Sequence, residues 1–335
     1  MRIPTGLKRF LLGLLFTVVA SLMVSEGHSS DAKGRALNVS LALGAGGLGD
    51  RAFNDSAYES LQKANWNLGI RFRVTEFRGK EEQAANLIQL AQEQFDLIIA
   101  LGFENGPPLK QAAERFPHLK FSVIDTVVDV PNVSSVVFRE IEGDFLAGAL
   151  CALMSGSGVL GFLGGADVPV IRRIENGWSQ GIRHVNPKAV ILSEFAGGVN
   201  DFSGFRKPDL GRQLAIKMYQ AGADIVYSAA GGTDIGAIHA AQEKQRRVVT
   251  TGSDRRWMAP EVVITSRTKN VDAAVLTLLR ELKSGAWRPG IKTLDLRSGG
   301  VSLAPLEHKQ ISTEMKEKIS DLRQKLMEGK IRLKE

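Results

Sequence analysis

From Ala36 onward, short apolar runs alternate with longer amphipathic stretches. "LNVSLAL", which begins at Leu37, is strand-like, and "DRAFNDSAYESLQKANWNLG" places Phe53, Ala57, Leu61 and Ala64 at helical spacing. "RFRVTEF" reads as a strand and "KEEQAANLIQLAQEQ" as a helix, with Ala84, Leu87, Ile88 and Ala91 on one face. "FDLIIALG" is a buried strand, "GPPLKQAAERFP" a short helix opened by prolines, and "KFSVID" a further strand. A second round starts near Glu140. It runs through "EGDFLAGALCALMS", "GVLGFLGG", "PVIRRIENGWSQGIRHV" and "AVILSEF", then "DLGRQLAIKMYQAG", "ADIVYSAA", "TDIGAIHAAQEKQ" and "RVVTTG". The rhythm predicts an α/β protein of two similar halves, each a parallel sheet with helices on both faces.

Three strand ends share one design. "LALGAGGLGD", "GFLGGADVP" and "YSAAGGTDIG" each pass from an apolar strand through paired glycines into a helix. Glycine permits a sharp turn and a close backbone approach at the carboxyl end of a strand, where open α/β sheets bind ligands. Three such turns, divided between two halves, point to a ligand cleft between them.

The first residues read as an export leader ending near Gly27 or Ala32. Arg2, Lys8 and Arg9 precede the apolar run Phe10–Ala20, and small polar residues follow from Ser25. No cysteine lies near that junction, so the expectation is a periplasmic or other extracytoplasmic chain without a lipid anchor. Three bases against Glu26 put about +2 of the net charge of +7 in this leader, and the remainder is dispersed. No basic block with interleaved aromatics suggests nucleic acid. Cys151, the single cysteine, sits in an apolar stretch and reads as a buried, inert thiol.

Gly44-Ala45-Gly46-Gly47-Leu48-Gly49 matches a dinucleotide-binding fingerprint, with Glu76 ending the next strand where a ribose-binding acid would stand. Asp50 argues against an NAD(P)-dependent oxidoreductase, because a carboxylate at the helix N-terminus occupies the amides a pyrophosphate needs. Nothing else assembles chemistry. The five histidines are scattered, H-E-x-x-H, C-x-x-C and G-x-S-x-G are missing, and no nucleophile stands with its base. No enzyme, metal or cofactor is expected.

Five ordered blocks resemble the basic membrane protein family, the purine-nucleoside-receptor type of ABC-transporter solute-binding protein. They are "GDRAFNDSAYESL", "FSVIDTVVDVPNVSSVVFREIEGDFLAGALCALMS", "GFLGGADVPVIRRIENGWSQGI", "GADIVYSAAGGTDIGAIHAAQEK" and "VVITSRTKNVDAAV", spanning about Val39 to Val275. The resemblance implies a type I periplasmic-binding fold, two Rossmann-like lobes on a multi-strand hinge with a ligand closed between them. After a leader ending at about residue 27, the expected division is an N-terminal lobe of 36–138 plus 264–290 and a C-terminal lobe of 139–263 plus 291–335.

For the site, the resemblance brings Asp50, Phe53 and Asn54 to the cleft mouth, Phe53 to stack on a flat base and Asn54 to hydrogen-bond it. It makes Asp125 the acid on the purine edge and Phe205 the second stacking ring, with Phe202 as rival. Gly232, Asp254 and Lys269 complete the expected ligand contacts. Relatives carry V-D-S-D-Q where this chain has Thr251-Gly252-Ser253-Asp254-Arg255, so the ribose contact falls to Asp254 or is lost. The expected partners are a purine nucleoside or similar small molecule and a membrane permease, the protein itself being a monomer. The other readings are a ligand-sensing module for a receptor kinase and the oxidoreductase.

Overall fold

The computed structural model describes residues 35–77 and 80–335, so the leader expected at 1–27 lies outside the described residues. The first half comprises β1 (Asn38–Ala42), α1 (Phe53–Leu68), β2 (Arg71–Thr75), α2 (Lys80–Gln92) and β3 (Leu97–Leu101). It continues through α3 (Gly106–Arg115), β4 (Phe121–Ile124) and β5 (Val133–Phe138). The second half holds α4 (Glu140–Met154), β6 (Val159–Gly164), α5 (Pro169–Val185), β7 (Val190–Phe195) and α6 (Pro208–Gln220). There follow β8 (Ile225–Ala229), α7 (Asp234–Lys244), β9 (Arg247–Gly252), β10 (Val263–Lys269) and α8 (Val271–Lys283). The chain ends with β11 (Gly290–Leu294), β12 (Val301–Leu303) and α9 (Thr313–Met327).

Two six-stranded sheets result, ordered β11-β5-β4-β3-β1-β2 and β12-β10-β9-β8-β6-β7. The first sheet is parallel throughout, and in the second β12 alone runs antiparallel, along β10. The strand order is the same doubly wound one in each lobe. In such sheets the crevice lies where the winding reverses, between β1 and β3 in one lobe and between β6 and β8 in the other. Central strands carry near-continuous apolar runs, because helices bury both their faces. Thus "LIIAL" in β3 and "IVYSA" in β8 are wholly buried.

Among the described residues, three segments pass between the lobes: β5 into α4, β10 into α8, and β11 into β12. β10 belongs to the second sheet and β11 to the first. The division expected at 264 and 290 therefore sits on the wrong side of both strands. β11 escaped the hydrophobic pattern because "GIKTL" is an edge strand with little burial. Its pairing with β5 is set by the sheet, not by its own residues.

α4 is buried along almost its whole length and packs on α5 through glycines. Cys151 lies inside this helix, and burial pushes its thiol up to about 12. Among the described residues, no helix is long and apolar enough to cross a membrane.

Candidate functional site

Both winding-reversal crevices open into one cavity. From the first lobe it takes Gly44–Gly46 after β1, Gly102–Glu104 after β3, Phe53 at the start of α1, and Asp125 after β4. From the second it takes Phe205, the turn at Ala229 and Gly231, and the α5 residues Val170, Ile171 and Ile174. Thr251, Gly252, Arg267 and Lys269, from β9 and β10, complete it. Phe53 and Phe205 thus face one space from opposite lobes. Phe205 lies against the Gly165 and Gly231 turns, where side chains would displace its ring or strain the chain.

The floor is a buried charge network. Lys269 Nζ stands 2.6 and 2.8 Å from the two oxygens of Asp125, 2.7 Å from Glu140, and 5.5 Å from the centre of the Phe53 ring. One ammonium serves two carboxylates. Burial raises Asp125, and Lys269 only partly offsets that. Burial also opposes ionisation of Glu140, but Lys269 and Arg267 outweigh it and leave this carboxyl lowered. Behind this trio, Arg267 donates to Asp144 at 2.7 Å and the Tyr227 hydroxyl donates to the same oxygen. Burial pushes Asp144 up to about 6. Asp125 itself has φ +85°, a region that disfavours side chains. Such strain costs on the order of 1–3 kcal/mol and persists where surrounding contacts over-determine it, typically at functional sites.

Asp50 and Asn54 do different work from that expected. The Asp50 oxygens accept from the Ala52, Asn54 and Asp55 amides at 2.9–3.2 Å and from Asn54 Nδ2 at 2.9 Å. Asn54 Oδ1 accepts from the Gly44 amide at 2.8 Å. Both residues line the cavity, yet their polar atoms hold the glycine turn against the start of α1. Phe202 does not line the cavity and meets Phe103 edge-on across the cleft, ring centres 5.2 Å apart.

Asp254 stands outside the lining. Arg256 holds it through contacts of 2.8–3.1 Å and lowers its carboxyl. Gly232 lies one residue past the lining Gly231, where a Cβ would come 3.9 Å from the Asp50 Cα.

Sequence reasoning missed Glu104. Its Oε1 accepts from the Ala45 amide, and burial pushes its pKa from 4.5 up to about 7. The signal was available in "ALGFENG", a strand end with one glycine rather than two. Because the folded pKa is raised, Glu104 favours folding below pH 4.5 and loses that contribution as pH rises to about 7. Relative to Glu104→Gln, wild-type stability should fall by about 2–3 kcal/mol across that window. Urea unfolding of both proteins at pH 5 and pH 8 checks this, and parallel behaviour would sink it.

Arg255 was also missed in its actual role. It is fully buried, pairs with Asp234 at 2.7 Å, and donates across the cleft to the carbonyl oxygens of Asp50 and Arg51. Arg206 donates likewise to Ala45 O, and Ser253 to Arg51 O. The lobes are therefore latched to each other over the cavity by contacts to main-chain oxygens.

A family model described as ABC transporter substrate-binding protein PnrA-like (Bmp) matches residues 38–335. The chain is 30% identical to a CD4+ T-cell-stimulating antigen of Listeria monocytogenes, over 98% of this chain and 99% of that protein. It is 27% identical to the ABC transporter nucleoside-binding protein BmpA of Lactococcus lactis, over 97% and 99% respectively. Among solved structures, an ABC transporter solute-binding protein from Aeropyrum pernix superposes with TM-score 0.82 at 26% identity, covering 88% of this chain and 92% of that one. The expected localisation without a lipid anchor is corrected by another relative. A Pyrococcus abyssi protein 28% identical over 90% of this chain and 77% of its own length is named a lipoprotein.

Proposed function

Because the chain belongs to the PnrA-like (Bmp) family of ABC-transporter substrate-binding proteins, we propose that it captures a purine nucleoside or a related small molecule between its lobes and presents it to a membrane permease. The observation that carries this reading is the pair Phe53 and Phe205, which come from opposite lobes to one cavity whose floor holds Asp125. A flat base between two rings gains stacking contact on both faces, and carboxyls at its edge accept its N–H groups. Neither ring alone encloses the ligand. Binding is therefore tied to lobe closure, and closure forms the surface a permease would engage. The lobes would bend at the three crossings, beside Glu140, Lys269 and Leu294. The nucleoside-binding name of the Lactococcus relative supports the same class of ligand.

A thermal-shift screen against nucleosides and nucleobases tests this. A ligand at a hundredfold excess over Kd adds about 2.7 kcal/mol of stability, a readily measured rise in Tm. Phe53→Ala should weaken binding by about 5- to 150-fold, the equivalent of the ~1–3 kcal/mol that one base–aromatic stack contributes. A null screen with every purine compound would remove the ligand class while leaving the fold untouched. Full affinity in Phe53→Ala would place the ligand elsewhere.

A further inference from the structure

The contacts that join the lobes over the cavity run from one protein group to another, and a single side chain makes most of them. Arg255, in the turn after β9, is fully buried. Within its own lobe, Nη1 donates to Asp234 at 2.7 Å, and Nη1 and Nη2 both donate to the Gly231 carbonyl at 3.1 Å. Across the cleft, Nη2 donates to the Asp50 carbonyl and Nε to the Arg51 carbonyl, the latter at 3.3 Å. The guanidinium is a fork anchored in one lobe and bonded to the other.

The receiving turn is prepared in the same way. Arg51 holds φ +52°, a left-handed conformation, and the Asp55 carboxylate fixes the turn by accepting from the Gly49 and Arg51 amides at 2.8 Å. Those bonds lie within the first lobe, so they order the two carbonyls without help from the second. Asp234 likewise neutralises Arg255 from within the second lobe. Surfaces ordered beforehand lose little freedom on meeting, and a charged donor makes the stronger kind of hydrogen bond. Ser253 adds a bond to the Arg51 carbonyl and Arg206 one to the Ala45 carbonyl. The Arg51 guanidinium in turn stands 5.3 Å from the centre of the Trp257 ring. Arg206, Ser253, Arg255 and Trp257 all stand outside the cavity lining.

We propose that closure does not wait for a ligand. Arg255 latches the lobes, the closed arrangement is the resting one, and Arg255 is a positioning residue that sets affinity without touching the ligand. This deepens the function proposed above and rests on it for the lobes' role as a ligand cleft. The ligand then selects a state already populated, and its apparent affinity is the intrinsic one scaled by the latched fraction. Opening to admit or release it exchanges the two carbonyl partners of Arg255 for water, while Asp234 stays paired.

Small-angle X-ray scattering of protein whose ultraviolet spectrum shows no bound purine tests this. The wild-type curve should match the one expected for the closed arrangement described above. Arg255→Lys keeps a charge for Asp234 but has no fork to reach both carbonyls. The double variant Arg206→Ala with Ser253→Ala leaves every buried charge in place. Each should raise the radius of gyration while far-UV circular dichroism stays unchanged. Arg255→Lys should also weaken whichever of inosine, guanosine and adenosine binds by at least about fivefold, the loss expected when the latched fraction falls to a fifth. A wild type that is extended until one of these compounds is added overturns the inference and leaves the purine reading intact. So do variants that scatter as wild type does, or an unaltered affinity in Arg255→Lys. Failure of all three compounds to bind removes the purine reading, and scattering alone then decides the latch.

Discussion

Lys269→Met is expected to lower folding stability by roughly 3–5 kcal/mol at neutral pH, the loss typical of removing one partner from a buried ion pair. Lys269 is 8% exposed and is the ammonium common to Asp125 and Glu140, which come from β4's end and the first turn of α4. Methionine approximates its unbranched aliphatic stem but supplies no charge, so two carboxylates would remain desolvated against each other. They would take up protons instead, and their folded pKa values would rise above the unfolded ones. A raised carboxyl penalises folding only where the unfolded chain is ionised, so the deficit should shrink as pH falls toward 4. Urea unfolding at pH 5 and pH 7.5 measures both the size and the direction. Adding Asp125→Asn and Glu140→Gln to the variant should recover most of the loss. A deficit below 1 kcal/mol at pH 7.5, or one that does not depend on pH, would falsify this account of the floor.

Gly181→Ala should cost at least about 4 kcal/mol, at the extreme of single substitutions. A Cβ at Gly181 would lie 1.9 Å from the Phe145 carbonyl oxygen, and one at Gly148 would lie 1.9 Å from the Trp178 carbonyl oxygen. Each helix thus offers a glycine to the other's backbone, and no side-chain rotation relieves either clash. α4 and α5 would have to separate, uncovering Trp178, Phe145 and Ile182, which this contact keeps buried. Alanine's better helix propensity, about 1 kcal/mol over glycine, opposes the loss and is too small to reverse it. Gly198→Ala is the control. Its Cβ would meet nothing within 4 Å, so its effect should stay within about 0.5 kcal/mol. Guanidinium unfolding distinguishes the two, and near-wild-type stability of Gly181→Ala would show that the helices pack less closely than described.

The periodic features were legible because they are local. Strand and helix alternation, the glycine turns at Gly44, Gly164 and Gly231, and the burial of Cys151 depend on residues a few positions apart. Phe53 and Phe205 were expected from the family resemblance, and both line the cavity. Asp50 shows where that reasoning stops. Its place at a helix start suggests both a cap and a ligand contact, and only the positions of four donors decide that its oxygens are filled from within. Asp254 went astray similarly, since its partner Arg256 is two residues away but the turn directing both off the cavity is set by the fold around β9.

By itself the sequence determined the α/β class and its repetition, because hydrophobic period and turn chemistry are written in consecutive residues, while the family was legible in five ordered blocks that resemble it. Only the tertiary structure decided which acids are available to a ligand. Lys269 meets Asp125 across 144 residues and Arg255 meets the Asp50 carbonyl across 205. A carboxylate's chemistry is set by what neutralises and desolvates it. Those neighbours are brought together by the sheets, the three crossings and the closure of one lobe upon the other.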